Sequence, residues 1–293
     1  MKKIVFAALY CFSVALIIHA QQKNYDLNTL IATEYSFSAS AGEIGTREAF
    51  LKFIADDAVL FAPNPVNGKK HFEEDKQPRT GLLSWYPCKA FISKSGDMGF
   101  SSGPWEWKKN KNDSSASAYG NFCTVWQKQN SGKWKFVFDM GINNDKPITK
   151  IEPLAFDTSK KISNPLIKGI KHSKPTELLQ LEKQFSTLSF QIGAAATYRK
   201  YIDEDSRLLR DGVFPIVGKW NITDYLSQKG LHYQFNPVGG KISSSKDFGF
   251  TYGELAVNNS ETNSNEKFNY LRIWKKEGNR WIIVSETANK LKS

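Results

Sequence analysis

Apolar positions in the first part of the chain recur at helical spacing and then change to alternation. Leu27, Leu30, Ile31 and Tyr35 lie three and four apart and predict a helix over residues 26–40. Gly42-Glu43-Ile44-Gly45 breaks it. Thr46 is placed to N-cap a second helix whose stripe is Ala49, Phe50, Phe53 and Ile54, ended by Asp56-Asp57. Ala58–Phe61 then reads as a short strand, and Pro63, Pro65 and Gly68 turn the chain into a third, short helix over residues 70–76. From Leu82 onward alternation predicts strands near 84–93, 99–108, 118–128 and 133–141. Helices first and an antiparallel meander after them make an α+β layer, with one sheet face buried on the helices.

The same order occurs twice. Ile92-Ser-Lys-Ser-Gly-Asp97-Met-Gly-Phe100-Ser-Ser-Gly103 returns as Ile242-Ser-Ser-Ser-Lys-Asp247-Phe-Gly-Phe250-Thr-Tyr-Gly253, in each case the tip and second arm of a hairpin. Thr29–Phe61 lies without a gap over Glu177–Leu209. Leu30/Leu178, Glu34/Glu182, Phe37/Phe185, Gly45/Gly193 and Asp57/Asp205 are among the matches. Trp126 matches Trp274, Trp134 matches Trp281, and Asp139 matches Glu286. A period of roughly 150 residues is too long for a solenoid, so the repeat is one domain present twice. The second copy predicts strands near 233–243, 249–257, 267–276 and 280–286.

The expected organisation is a leader over 1–20, a first domain over 21–142, a linker over 143–175 and a second domain over 176–293. The linker carries Pro147, Pro153, Pro165 and Pro175 and seven lysines, which suits an extended connector. Ile151, Leu154, Phe156, Leu166 and Ile167 would drape it over the folded parts.

Residues 1–20 combine Lys2 and Lys3, a short apolar run and Ala20 before Gln21, the pattern of a cleaved secretory signal. The protein is therefore expected to be secreted or periplasmic, without a retained membrane span. Removing two lysines and no acid takes the net charge from +11 to +9. That surplus is spread along the chain, with no basic cluster of the kind that marks a nucleic-acid face. A merely solvated basic surface is the plainer reading of it, and a tether to the cell envelope is the alternative. Cys88 and Cys123 fall on strands two apart, beyond disulfide reach, and are expected as two buried thiols.

Phe53–Phe61, the short helix after it, and Gly132-Lys-Trp-Lys-Phe-Val-Phe-Asp139 resemble the SnoaL-like, nuclear-transport-factor-2-like superfamily, which also holds ketosteroid isomerase. The resemblance covers 26–142 well and 177–289 more faintly. It implies two tandem cone-like domains, each with a sheet wrapped around a pocket. The superfamily includes isomerases, cyclases, dehydratases and binding modules. Isomerase chemistry would need a base where this chain has Ala62 and a protonated acid where it has Thr124. Only Tyr35 matches the expected tyrosine, and Lys183 replaces it in the second copy. The resemblance implies the fold and argues against that reaction.

Asp139 is the sharpest chemical candidate. Strict alternation puts it on a face with Lys135 and Val137, opposite Trp134, Phe136 and Phe138. On the pocket side it would anchor a ligand amine or act as a base. A strand-end carboxylate paired to lysine or to backbone is the plainer alternative. Asp97 and Asp247 suit turn work, while Asp57 and Asp205 suit capping or ion pairing. Trp85, Trp105, Trp107, Tyr119 and Trp126 would line an apolar pocket or simply pack a core, with Tyr35 and Thr124 beside them. In the second copy the candidates are Trp274 and Glu286. The face bearing Trp134, Phe136 and Phe138 needs a cover, which suggests that the copies pack as an internal pseudo-dimer.

His71, His172 and His232 are isolated, and neither metal spacing, a nucleophile elbow nor a phosphate loop occurs. No cofactor or metal is expected. The expected function is non-catalytic: binding a small apolar molecule, or acting as an interaction module for an unknown protein partner. An isomerase, cyclase or dehydratase using Asp139 as base is the alternative.

Overall fold

The computed structural model describes the backbone of residues 2–76, 81–157, 159, 175–227 and 231–291, with side chains from Gln21 onward except Lys23. The leader expected at 1–20 falls where no side chain is described. Leu166, Ile167 and His172 lie outside the described residues.

Helix α1 (Lys2–Ile44) extends well beyond the expected 26–40 at both ends and passes through Gly42. The break belongs to Gly45 alone. Its φ of 96° is open to glycine and strained for other residues. Gly193 repeats it with φ 84°. Helix α2 (Thr46–Phe53) thus has Gly45 as its cap, and Thr46, expected as the cap, is its first buried residue.

Strand β1 (Ile54–Phe61) starts directly, so Asp56 and Asp57 are exposed strand residues, not a helix end. Strand β2 (Pro65–Asn67) folds back on β1, and Asn67 caps α3 (Gly68–Glu74) by accepting from the Lys70 amide. Helix α3 sits two residues before its expected span. The remaining strands are β3 (Leu82–Trp85), β4 (Lys89–Ile92), β5 (Met98–Lys108), β6 (Ala118–Lys128) and β7 (Trp134–Asn144). The single strand expected over 84–93 is split at Tyr86-Pro87-Cys88, because proline brings no amide to a ladder.

The sheet runs β2-β1-β7-β6-β5-β3, with β4 also on β5. It is not wholly antiparallel, since β1 joins β7 in parallel. The second copy repeats the plan with α4 (Thr176–Ile192), α5 (Ala194–Tyr201), β8 (Arg207–Arg210), β9 (Val213–Val217), α6 (Lys219–Tyr225), β10 (Leu231–Ile242), β11 (Phe248–Asn259), β12 (Ser264–Glu277) and β13 (Arg280–Lys290). Its order is β10-β11-β12-β13-β8-β9, again with one parallel pair, β8 on β13. The protein is therefore two tandem cone-like α+β domains.

Each concave face closes on its own helices, with Leu30 and Phe37 in one core and Leu178 and Phe185 in the other. The opposite faces meet across the repeat. Phe138 lies 4.9 Å from Tyr252 and 5.8 Å from Phe250, and Phe91 and Phe100 lie 5.8 and 6.3 Å from Phe248. Cys123 is buried beside Ser285 and Thr287, and burial pushes its thiol up to about 12. Cys88 is only half-buried, which corrects the expectation of two buried thiols.

The hairpin tips interlock in a reciprocal way. Asp97 accepts from the Ser244 amide (3.0 Å) and hydroxyl (2.5 Å), and Asp247 accepts from the Lys94 amide (3.2 Å). Each carboxylate also accepts from the serines of its own turn. Asp57 pairs with Lys241 (2.7 Å) and Asp205 with Lys89 (3.8 Å), again across the repeat. The early linker packs on the first copy. Tyr86 donates to the Ile151 carbonyl, Tyr35 to that of Leu154, and the Leu154 amide donates to Pro87.

Candidate functional site

The site is set by a β-bulge. Between β6 and β7 the register steps from Trp126↔Phe136 to Val125↔Phe138 to Thr124↔Asp139, leaving Val137 extra. One added residue reverses the alternation. Trp134, Phe136 and Asp139 thus face the helices, whereas Phe138 faces the second copy, so the two sides inferred from strict alternation are corrected. Phe136 stacks on Phe37 at 5.5 Å, deep in the cone.

Asp139 borders a cavity of about 260 Å³. Phe37, Phe50, Leu83, Trp85, Trp105 and Phe122 form its apolar walls, and Thr124 and Asp139 its polar end. Thr124 Oγ1 donates to Asp139 Oδ1 at 2.6 Å. Desolvation pushes the Asp139 carboxyl up to about 6, against the lowering effect of the Thr124 hydrogen bond. Asp139 also borders a second recess, of about 270 Å³, with His71, Phe72 and Asn289.

Behind the cavity sits Glu34, fully buried on α1. Its Oε1 accepts from Trp85 Nε1 (2.5 Å), and its Oε2 accepts from Trp126 Nε1 (3.0 Å) and Ser101 Oγ. Burial still pushes Glu34 up to about 7, since three neutral donors compensate only part of the desolvation and Asp139 adds repulsion.

The other predicted residues are dispersed. Tyr35 points away from the cavity to the linker, and Trp126 is spent on Glu34 and Ser101. Tyr119 borders a separate recess of about 440 Å³ between the sheet and residues 146–151, which also touches Trp85 and Trp105. Trp107 packs over Gly81 at the far end of β5. Ala62, where the resemblance would need an isomerase base, is exposed.

In the second copy the corresponding space is filled. Arg272 bridges Glu182 and Glu286, which are both fully buried. Arg210 and Tyr198 also bind Glu286, the tyrosine at 2.7 Å. These two arginines hold Glu286 below the usual carboxylate range despite its burial. Trp274 donates to Glu182 at 3.1 Å, repeating Trp126 on Glu34. Trp274 and Glu286 are thus members of a closed ion-pair core.

Sequence reasoning missed Glu34 as part of the site. Its match with Glu182 was the available signal, since a glutamate kept on the apolar stripe of both first helices has to be satisfied inside. Among the described residues no cluster of His, Cys, Asp and Glu could hold a metal, and no helix is long and apolar enough to cross a membrane.

No protein-family profile and no curated protein matches the sequence. Solved structures do. An NTF2-like protein from Cytophaga hutchinsonii aligns with 13% identity and TM-score 0.34, over 41% of this chain and 100% of that one. A ketosteroid isomerase-like protein from Erwinia carotovora atroseptica gives 15% and 0.35, over 41% and 98%. An NTF2-like protein with a cystatin-like fold from Novosphingobium aromaticivorans gives 13% and 0.35, over 41% and 83%. Likeness at this level concerns fold alone and transfers no residue's role.

Proposed function

We propose that the protein is an exported, non-catalytic binding protein. The first copy takes a small, largely apolar ligand in its cone, and the two copies form an internal pseudo-dimer. The observation that carries this reading is the difference between the cones: the first leaves about 260 Å³ between aromatic walls and a carboxylate, and the second fills that volume with Arg272. Aromatic walls with a few convergent polar groups are the general form of a small-molecule site. Export is supported by the leader-like sequence of residues 1–20. The pseudo-dimer is supported by the reciprocal bonds of Asp97 and Asp247 and the contacts of Phe138.

The enzymatic alternative, with Asp139 as the base of an isomerase, cyclase or dehydratase, draws on one observation. A carboxyl pushed up to about 6 is matched to proton abstraction near neutrality. Against it, the position of the oxyanion acid holds Thr124, whose hydroxyl is already donated to Asp139.

The test is thermal unfolding of the full chain against steroids, fatty acids, polyketide-like aromatics and amines, with Asp139→Asn alongside. A compound at about a hundred times its dissociation constant adds roughly 2.7 kcal/mol and moves the midpoint by a few degrees. Such a shift for the native protein is expected. Turnover of a stabilising compound that disappears in Asp139→Asn would favour the enzyme, and no shift with any compound would remove the binding reading.

A further inference from the structure

The second copy carries, as one of its own side chains, the group that fits this cone. Across three neighbouring strands Thr251, Arg272 and Glu286 stand in register, as Ser101, Thr124 and Asp139 do in the first copy. The bulge falls at the same step in both, between Ile273 and Trp274 and between Val125 and Trp126. Superposition by strand register therefore places the Arg272 guanidinium in the space that Thr124 leaves open.

The surroundings of that guanidinium agree. It lies 4.2 Å from the ring centre of Phe185, 4.3 Å from Phe235 and 5.4 Å from Tyr270. The residues at these positions in the first copy are Phe37, Trp85 and Phe122, all of which wall the cavity. Arg272 Nε donates to Glu286 at 2.6 Å, and the matching acid is Asp139. The first copy thus keeps the ring walls and the carboxylate and lacks the cation. The place of the second arginine, Arg210, is held by Ala62, so that charge is missing as well. Thr124 engages only Oδ1 of Asp139, and among the described residues no donor reaches Oδ2.

We infer that the first cone binds an organic cation of guanidinium type carried on a small apolar body, with the charge against Asp139 and over the faces of Phe37 and Trp85. The inference rests on the binding reading above and narrows it to a ligand class. A planar guanidinium donates to a carboxylate in a fork and is attracted by aromatic faces. A neutral molecule of the same shape gains the walls alone, and an anion meets Asp139 as a like charge.

Calorimetric titration of the full chain with benzylguanidine and with the neutral benzylurea tests this. Benzylguanidine is expected to bind at least about tenfold more tightly, a difference of about 1.4 kcal/mol. Asp139→Asn is expected to remove that preference. Thr124→Arg, which restores the side chain of the second copy, is expected to abolish binding and raise the melting temperature. If Thr124→Arg does not fold, the Asp139→Asn comparison decides alone.

Equal affinity for both compounds would overturn the cationic class while leaving the binding reading intact. Benzylguanidine binding that persists unchanged in Asp139→Asn would overturn the site. Failure of both compounds while another member of the panel stabilises the protein would again overturn the inference alone; no response to anything would remove both.

Discussion

At the scale of single residues the two copies solve the same problem differently. Each places two carboxyl groups inside a cone of aromatic rings, with Glu34, Glu182 and Glu286 fully buried and Asp139 half-buried at the cavity edge. The second copy sets Arg272 and Arg210 against them, which holds Glu286 low although burial still raises Glu182, and the first supplies hydrogen bonds but no cation, so Glu34 and Asp139 rise to about 7 and about 6. Well below a pH of about 4 Asp139 is protonated in both the folded and the unfolded chain, and its burial carries no ionic penalty. As pH rises toward 6 the unfolded chain ionises first, so the stability associated with this group falls and then stays low. Asp139→Asn keeps the acceptor for Thr124 and removes the titration, and it also relieves the repulsion on Glu34. The variant should therefore exceed the native protein in stability by roughly 2 kcal/mol at pH 8 and equal it near pH 3.5. Urea unfolding at the two pH values measures this. A variant that is less stable at pH 8 would show that the charged form is held by a contact worth more than its desolvation.

At the scale of elements the decisive devices are one bulge and one pair of hairpin tips. The bulge at Val137 sends Asp139 into the cone and Phe138 out of it, a separation that no count of alternate residues reveals. The tips show the opposite case. Asp97 and Asp247 were legible as turn aspartates, and their own-turn serines bear that out, but each also accepts backbone hydrogen bonds from the other tip. Asp97→Ala and Asp247→Ala should each cost about 1–2 kcal/mol, since each leaves one amide of the opposite turn, that of Ser244 or of Lys94, without its acceptor. Because the tips bind each other, the double variant should cost measurably less than the two single effects combined. Guanidinium unfolding of the four proteins closes the cycle. Strict additivity would mean that the cross-repeat bonds contribute little and that both residues act within their own turns.

At the scale of the whole molecule, the proposed pseudo-dimer has a consequence for its parts. Phe91, Phe100 and Phe138 of the first sheet pack on Phe248, Phe250 and Tyr252 of the second. Residues 21–157 expressed alone would present these rings to water, and a contiguous apolar patch of that kind drives association. The fragment should sediment as a dimer or larger species, and Phe138→Lys should shift it toward monomer. A wild-type fragment that stays monomeric at high concentration would argue that the face needs no cover.

The sequence by itself determined the duplication, the helices-then-strands order, the hairpin tips and the presence of an acid in both last strands, though their extension to Asn144 and Lys290 puts Asp139 and Glu286 mid-strand and not at a strand end. These follow from local signals: apolar period, glycine and proline punctuation, and matching residues at a constant offset. Folding decided the rest. Whether Asp139 faced in or out depended on a single unpaired residue. Whether Tyr35, Trp107, Tyr119 and Trp126 shared a pocket depended on strand register and on the course of the linker. The emptiness of one cone and the fullness of the other depended on Thr124 against Arg272, two residues that look equally ordinary in a strand. Long-range packing brings positions tens of residues apart to within a few ångströms, and local pattern carries no record of those distances.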